Sequence, residues 1–109
     1  KNEAEAAKLL EDAKALDEAG VCALVLEKVP SQLAKKVSET IKAPTIGIGA
    51  GNGTDGQVLV YADAMGMTRG FKPKFLRYFA DVNKCMTDGI TDYMRAVKDQ
   101  SFPNEQESY

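Results

Sequence analysis

Val21-Cys22-Ala23-Leu24-Val25-Leu26-Glu27 decides how this chain is read. Six apolar residues run without interruption, a carboxylate follows, and Lys28-Val29-Pro30 breaks the pattern. The run is too short for a membrane span or an ordinary helix. Its continuity fits a parallel strand buried on both faces by covering helices. The first charged residue beyond the C-terminal end of such a strand stands at the rim where α/β folds place their chemistry. Glu27 is therefore the first candidate for a catalytic role, set against the plainer reading of a solvated turn residue.

On the N-terminal side, Ala6, Leu9, Leu10, Ala13 and Leu16 recur at helical spacing. Asn2 is placed to cap that helix, with Glu5 at the reciprocal capping position, and Gly20 supplies the stop. On the C-terminal side, Leu33, Ala34, Val37 and Ile41 mark a second helix, which Pro44 closes before the strand Thr45-Ile46-Gly47-Ile48. Strand, helix and strand in this order predict two parallel neighbours joined by a right-handed crossover. A third strand is expected at Gln57-Val58-Leu59-Val60-Tyr61, ending in Ala62-Asp63.

Residues 62–72 read as an ordered loop or one with a short helical turn. Pro73 can open a helix whose apolar face is Phe75, Tyr78 and Phe79. Val82, Met86, Ile90, Met94 and Val97 predict another helix or a bent continuation, with Asp81 or Gly89 as the interruption. The end, residues 102–109, is polar and reads as irregular.

The 109 residues carry a net charge of -2, with 44% hydrophobic and 28% charged. That is enough for one modest core, and without a sustained basic patch it gives no footprint for nucleic acid. No apolar stretch is long enough for a membrane span, and the first residues lack a secretory signal. Two distant cysteines argue against a disulfide scaffold or metal knuckle and fit a reducing compartment. Cys22 reads as a small core residue and Cys85 as part of a helix. Three parallel strands leave two open edges, whereas a closed eight-stranded barrel takes about 250 residues. The chain can thus supply the last part of a (β/α)8 TIM barrel, as a fragment or a processed piece.

Gly47, Gly49 and Gly51 permit either tight packing and turns, the favoured reading, or close approach of backbone donors to a ligand. The segment lacks the Gly-Lys-Ser or Gly-Lys-Thr of a phosphate loop and the GxGxxG of a dinucleotide fold. Asp55 and Asp63 are acidic rim candidates, each with loop capping as the alternative. Lys72 and Lys74 could face an acidic partner or stay solvated. Tyr78 and Phe79 suit a core or subunit interface, and Tyr109 could pack back onto the fold or lie free.

Leu24-Val25-Leu26-Glu27-Lys28-Val29-Pro30, Ile46-Gly47-Ile48-Gly49-Ala50-Gly51-Asn52 and Thr54-Asp55-Gly56-Gln57-Val58-Leu59-Val60 closely resemble the ketopantoate hydroxymethyltransferase family. Asp63, Gly66-Met67-Thr68, Phe71-Lys72-Pro73-Lys74-Phe75 and the Phe102-Pro103 ending continue the likeness over essentially the whole chain. The resemblance implies an α/β fold, the C-terminal portion of a single (β/α)8 barrel domain spanning residues 1–109. Residues 21–26, 45–48 and 57–61 would be its sixth, seventh and eighth strands, alternating with covering helices.

The activity implied is transfer of a hydroxymethyl group from 5,10-methylenetetrahydrofolate to 3-methyl-2-oxobutanoate, forming ketopantoate in cytoplasmic pantothenate and coenzyme A biosynthesis. Glu27 matches the family's general base, and Mg2+ would polarise the 2-oxo acid through carboxylates of earlier strands, outside this chain. The partners implied are the missing N-terminal barrel segment, either joined or a separate cleaved chain, and further copies in a homo-oligomer, decameric in bacterial members. Lys28 stands where the family often has cysteine, Ala62 and Gln106 where it often has histidine, and Arg69 where it often has glycine; Lys72 and Lys74 could meet the folate glutamyl tail, with a solvated basic turn as the alternative. The competing readings are another metal-dependent 2-oxo-acid lyase or transferase, and a noncatalytic barrel subunit.

Overall fold

A computed structural model describes residues 3–109, so the expected Asn2 cap lies outside the described residues. The chain divides into two compact units, Lys1–Leu59 with Pro73–Leu76, and Val60–Lys72 with Arg77–Tyr109.

The first unit is a small parallel α/β layer. Its elements are α1 (Glu3–Glu18), β1 (Leu24–Glu27), α2 (Ser31–Thr40), β2 (Thr45–Ile48) and β3 (Gly56–Gln57), with sheet order β1-β2-β3. Both strand pairs are parallel. The apolar stripes of α1 and α2 bury Ala13, Ala34 and Val37 together with Leu26 of β1, and Leu9, Leu10, Leu24 and Leu33 pack around them. Gly20, at φ 82°, makes the left-handed turn that ends α1. Next to it the Asp17 carboxylate accepts the Lys42 and Ala43 N–H groups at 3.0 and 2.7 Å, tying the end of α1 to the approach to β2. These bonds, that from Lys42 first, hold Asp17 below the usual carboxylate range.

β2 occupies the expected residues, but β1 starts at Leu24 instead of Val21. The first inter-strand bond runs from the Leu24 N–H to the Pro44 carbonyl at 2.9 Å. Pro44 offers no N–H, so residues 21–23 have no ladder to join. Cys22 is accordingly exposed and is not the core residue expected. Within this chain only one face of β1 is covered. Leu26 is 5% exposed beneath the helices, while Val25, on the opposite face, is 59% exposed.

The third strand is shorter than residues 57–61. β3 pairs Gly56 with Ile46 and Gln57 with Gly47, and the Val58 N–H reaches the Gly47 carbonyl at 3.0 Å. Beyond that point Gly49 turns β2 away with φ 63°, and the ladder runs out of partner. Between β2 and β3 residues 49–55 form a loop, as the glycine-rich run Gly51 to Gly56 leads one to expect, and not the covering helix that the resemblance implies between strands. Its glycines press against α2: a Cβ on Gly51 would lie 2.5 Å from Ser31 Cβ, and one on Gly53 2.8 Å from Lys35 Cβ. A chain of such small cross-section reverses direction in the space a helix would need.

No helix forms at Pro73 either. Residues 73–76 make a single turn, closed by the Leu76 N–H on the Pro73 carbonyl at 3.0 Å. Phe75 lies against Gly49 and Leu76 is buried, so tertiary contacts override a weak aromatic helix propensity.

The second unit holds α3 (Tyr61–Ala64), α4 (Val82–Lys98) and a 3-10 turn (Glu105–Glu107). α4 runs unbroken through Gly89, and Asp81 caps it by accepting the Lys84 N–H at 3.1 Å. The Phe79 N–H bonds the Ala64 carbonyl at 2.7 Å, joining α3 to the approach of α4. Met86, Ile90, Met94 and Val97 form the apolar stripe expected, and all are exposed.

Candidate active site

The sheet places Glu27 through register and end geometry. Glu27 pairs with Ile48 and Val25 with Ile46, so these four side chains share the face opposite α1 and α2. Leu24 and Leu26 point the other way, into the helix-covered core. Glu27 is exposed at the C-terminal end of its strand. Among the described residues its carboxylate forms no ion pair. A carboxylate beside Val25, Ile46 and Ile48, with both oxygens available, can accept a proton from a substrate lying over that face.

Just past Glu27 the two strands end side by side. Lys28 takes φ 52°, and its N–H closes the ladder on the Ile48 carbonyl at 2.9 Å. Gly49, the residue after β2, is also left-handed, and a Cβ there would sit 2.8 Å from Phe75 Cδ1. The missing side chain at 49 is therefore what lets the 73–76 turn rest on the strand ends. Lys28, Val29, Pro30, Ser31, Gly49, Gly51, Lys74 and Phe75 line an open depression of about 540 Å³ there.

The loop behind this rim is internally bonded. Gln57 Nε2 donates to the Gly51 carbonyl at 2.8 Å and to Thr54 Oγ1 at 2.9 Å, and Thr54 Oγ1 donates to the Gly56 carbonyl at 2.9 Å. Asp55 Oδ2 accepts the Thr45 N–H at 2.7 Å and the Thr45 hydroxyl at 3.0 Å. Those two bonds, the backbone one first, hold Asp55 below the usual carboxylate range and commit it to the fold. Loop capping is thus the reading that holds for Asp55, and packing the one that holds for the glycines.

The remaining sequence candidates fall elsewhere. Asp63 lies in α3 of the second unit. The Lys72 ammonium sits 4.2 Å from the Tyr78 ring centroid, a cation–π contact, whereas Lys74 lines the depression of the first unit. Phe79 is 63% exposed and Tyr78 half-buried, so neither is a core residue. Arg69 pairs with Asp81 at 2.6 Å, the Gln106 N–H bonds the Asn104 carboxamide oxygen at 2.8 Å, and Tyr109 is exposed. Among the described residues no group of three or more His, Cys, Asp or Glu is disposed to hold a metal ion. Sequence reasoning put Phe75 on a helix face instead of at the rim and did not join Lys28 to Lys74, because nothing local in either segment signals their meeting. The positive-φ demand at Gly49 is the nearest hint.

A family model described as ketopantoate hydroxymethyltransferase matches residues 1–105. Among curated proteins, the 3-methyl-2-oxobutanoate hydroxymethyltransferase of Phocaeicola vulgatus is 54% identical over all 109 residues, and that of Christiangramia forsetii is also 54% identical. The Thermoanaerobacter sp. protein of the same name is 50% identical over the same span. In each case all of this chain is covered and 40% of the relative, so the chain spans well under half the length of these proteins.

Proposed function

The chain belongs to the ketopantoate hydroxymethyltransferase family, and from that premise we propose that it supplies the general base of a hydroxymethyl transfer from 5,10-methylenetetrahydrofolate to 3-methyl-2-oxobutanoate. The observation that carries this reading is the position of Glu27, at the C-terminal end of a parallel strand and on the sheet face opposite the helices. In a (β/α)8 barrel the helices lie outside, so that opposite face is the interior and the C-terminal strand ends form the mouth. Residues 1–109 would be the last part of one such barrel domain, closed by the rest of the protein along the open edges of β1 and β3.

Glu27 takes the proton from carbon 3 of the 2-oxo acid, leaving the electron pair shared with the 2-oxo oxygen as an enolate. Carbon 3 then bonds to the donor's methylene carbon as its carbon–nitrogen bonds break. One water supplies the hydroxyl group, and the two donor nitrogens take up the water's remaining proton and the one held by Glu27, so that tetrahydrofolate and ketopantoate leave. The Mg2+ that the family implies finds no donor set among the described residues, and its ligands are assigned to the remainder of the protein. A cytoplasmic location belongs to the same proposal. No described helix is long and apolar enough to cross a membrane. Homo-oligomeric assembly is also part of it, supported by the exposed apolar stripe of α4.

The test is ketopantoate formation by the complete magnesium-supplied protein, native against Glu27→Gln. Turnover should fall by at least about 100-fold, the lower range for removing a general base, with assembly unchanged. Equal turnover in the variant would remove Glu27 from the chemistry.

A further inference from the structure

The depression beside Glu27 has a charge pattern that the proton transfer leaves unused. Three separate segments build it: residues 28–31, 49–51 and 74–75. Its titratable lining is Lys28 and Lys74, with no carboxylate, in a chain whose net charge is -2. Neither ammonium forms an ion pair within 4 Å among the described residues, so both charges are open to a ligand. Two like charges brought to one concave surface repel, and an anion between them reverses the sign of that interaction. Beside them Phe75 offers a ring face, held on Gly49 at a spacing that leaves no room for a Cβ, and Val29 and Pro30 add apolar wall.

Hydrogen bonds hold the backbone of its walls. The Lys28 N–H is tied to the Ile48 carbonyl at 2.9 Å, the Ala34 N–H to the Pro30 carbonyl at 2.9 Å, and the 73–76 turn is closed on itself. A volume of about 540 Å³ suits a small organic molecule, and the mix of one ring face and two cations selects its class: an aromatic body bearing carboxylates.

We propose that this depression is a binding subsite for an aromatic carboxylate, gripped by Lys28 and Lys74 with its ring against Phe75. Given the function proposed above, on which this assignment rests, the matching piece of the two substrates is the aminobenzoyl-glutamate end of the one-carbon donor. The 2-oxo acid has no ring. Binding there sets the donor's reactive end toward the rim where Glu27 stands, immediately before Lys28 in the chain.

The probe is p-aminobenzoyl-glutamate, titrated by calorimetry into the complete protein. Native protein should bind it saturably, and Lys28→Gln with Lys74→Gln should weaken binding at least about tenfold, as expected for losing charge-assisted contacts. Lys28→Arg with Lys74→Arg should restore most of the affinity. In native protein alone, affinity should fall as salt rises from about 0.05 to about 0.5 M, because screening weakens contacts with exposed ammonium groups. In turnover, the Gln pair should raise the donor KM, with the smaller part of the loss in kcat. Glu27→Gln separates the two readings: it should abolish turnover and leave probe affinity within about twofold. Absence of saturable binding, equal affinity in the Gln pair, or salt-independent binding would each overturn the subsite.

Discussion

Thr45 and Asp55 clamp the two ends of the glycine loop. Asp55 Oδ2 takes both the Thr45 N–H and the Thr45 hydroxyl, and the Asp55 N–H returns a bond to Thr45 Oγ1 at 3.2 Å. Thr45 is fully buried, and its hydroxyl also meets Ser38 Oγ at 2.6 Å. One side chain therefore joins β2, α2 and the loop that carries Gly49 to the rim.

Thr45→Val keeps the volume and removes the hydroxyl, leaving the Asp55 N–H without its acceptor and the Asp55 carboxylate without one donor, while the Ser38 hydroxyl keeps the Ala34 carbonyl. Each unmade buried bond costs about 1–3 kcal/mol. Urea unfolding should show a loss in that range for the variant. A change of less than about 0.5 kcal/mol would mean that the hydroxyl does not organise the loop.

Two carboxylates of the first unit that accept backbone N–H groups, Asp17 and Asp55, predict an acid limb of stability. Asp17 and Asp55 both have lowered folded pKa values, caused first by the Lys42 and Thr45 N–H groups respectively. A depressed folded pKa means stability that is fully present above the unfolded value of about 3.9 and lost as pH falls through the folded one. Unfolding curves from neutral pH down to about pH 3 should therefore show a drop below pH 4, and Asp17→Asn should make it shallower. Identical acid slopes for native and variant proteins would contradict the assignment.

Gly49 predicts a backbone effect at the rim. At φ 63° a side chain costs about 1–2 kcal/mol, and a Cβ also meets the Phe75 ring at 2.8 Å. Gly49→Ala should lower the melting temperature and weaken p-aminobenzoyl-glutamate binding together, because Phe75 must shift. Gly70, at φ 113° with nothing within 4 Å of a Cβ, is the control. Gly70→Ala should cost stability without touching that affinity.

These contrasts show what was legible in the chain. β2 could be bounded because Pro44 and Gly49 punctuate it on both sides, and α4 because five apolar residues keep helical phase across Gly89. Glu27 stood out because it ends an apolar run. What failed depended on partners distant in sequence: residues 21–23 lose their ladder at Pro44, residues 59–60 lose theirs where Gly49 turns away, and 73–76 exchange a helix for contact with Gly49. The meeting of Lys28 and Lys74 belongs to the same class, since only the folded turn brings them to one depression. Composition and periodicity also left open which face Glu27 occupies. Register pairing with Ile48 decides it.

That face supplies the sharpest test of the barrel. Val25 is 59% exposed in this chain, and a surface substitution at such a site changes stability by no more than about 0.5 kcal/mol. If the rest of the protein closes a barrel, Val25 becomes an interior residue one pleat below Glu27, and a charge there is buried without a partner. An uncompensated buried charge costs about 3–5 kcal/mol. Val25→Asp in the complete protein should therefore cause a loss of that size in urea unfolding, or fail to assemble, while the exposed control Glu39→Ala changes little. A Val25→Asp protein as stable as native would mean that this face stays in water, and the barrel interior assigned to Glu27 would fall with it.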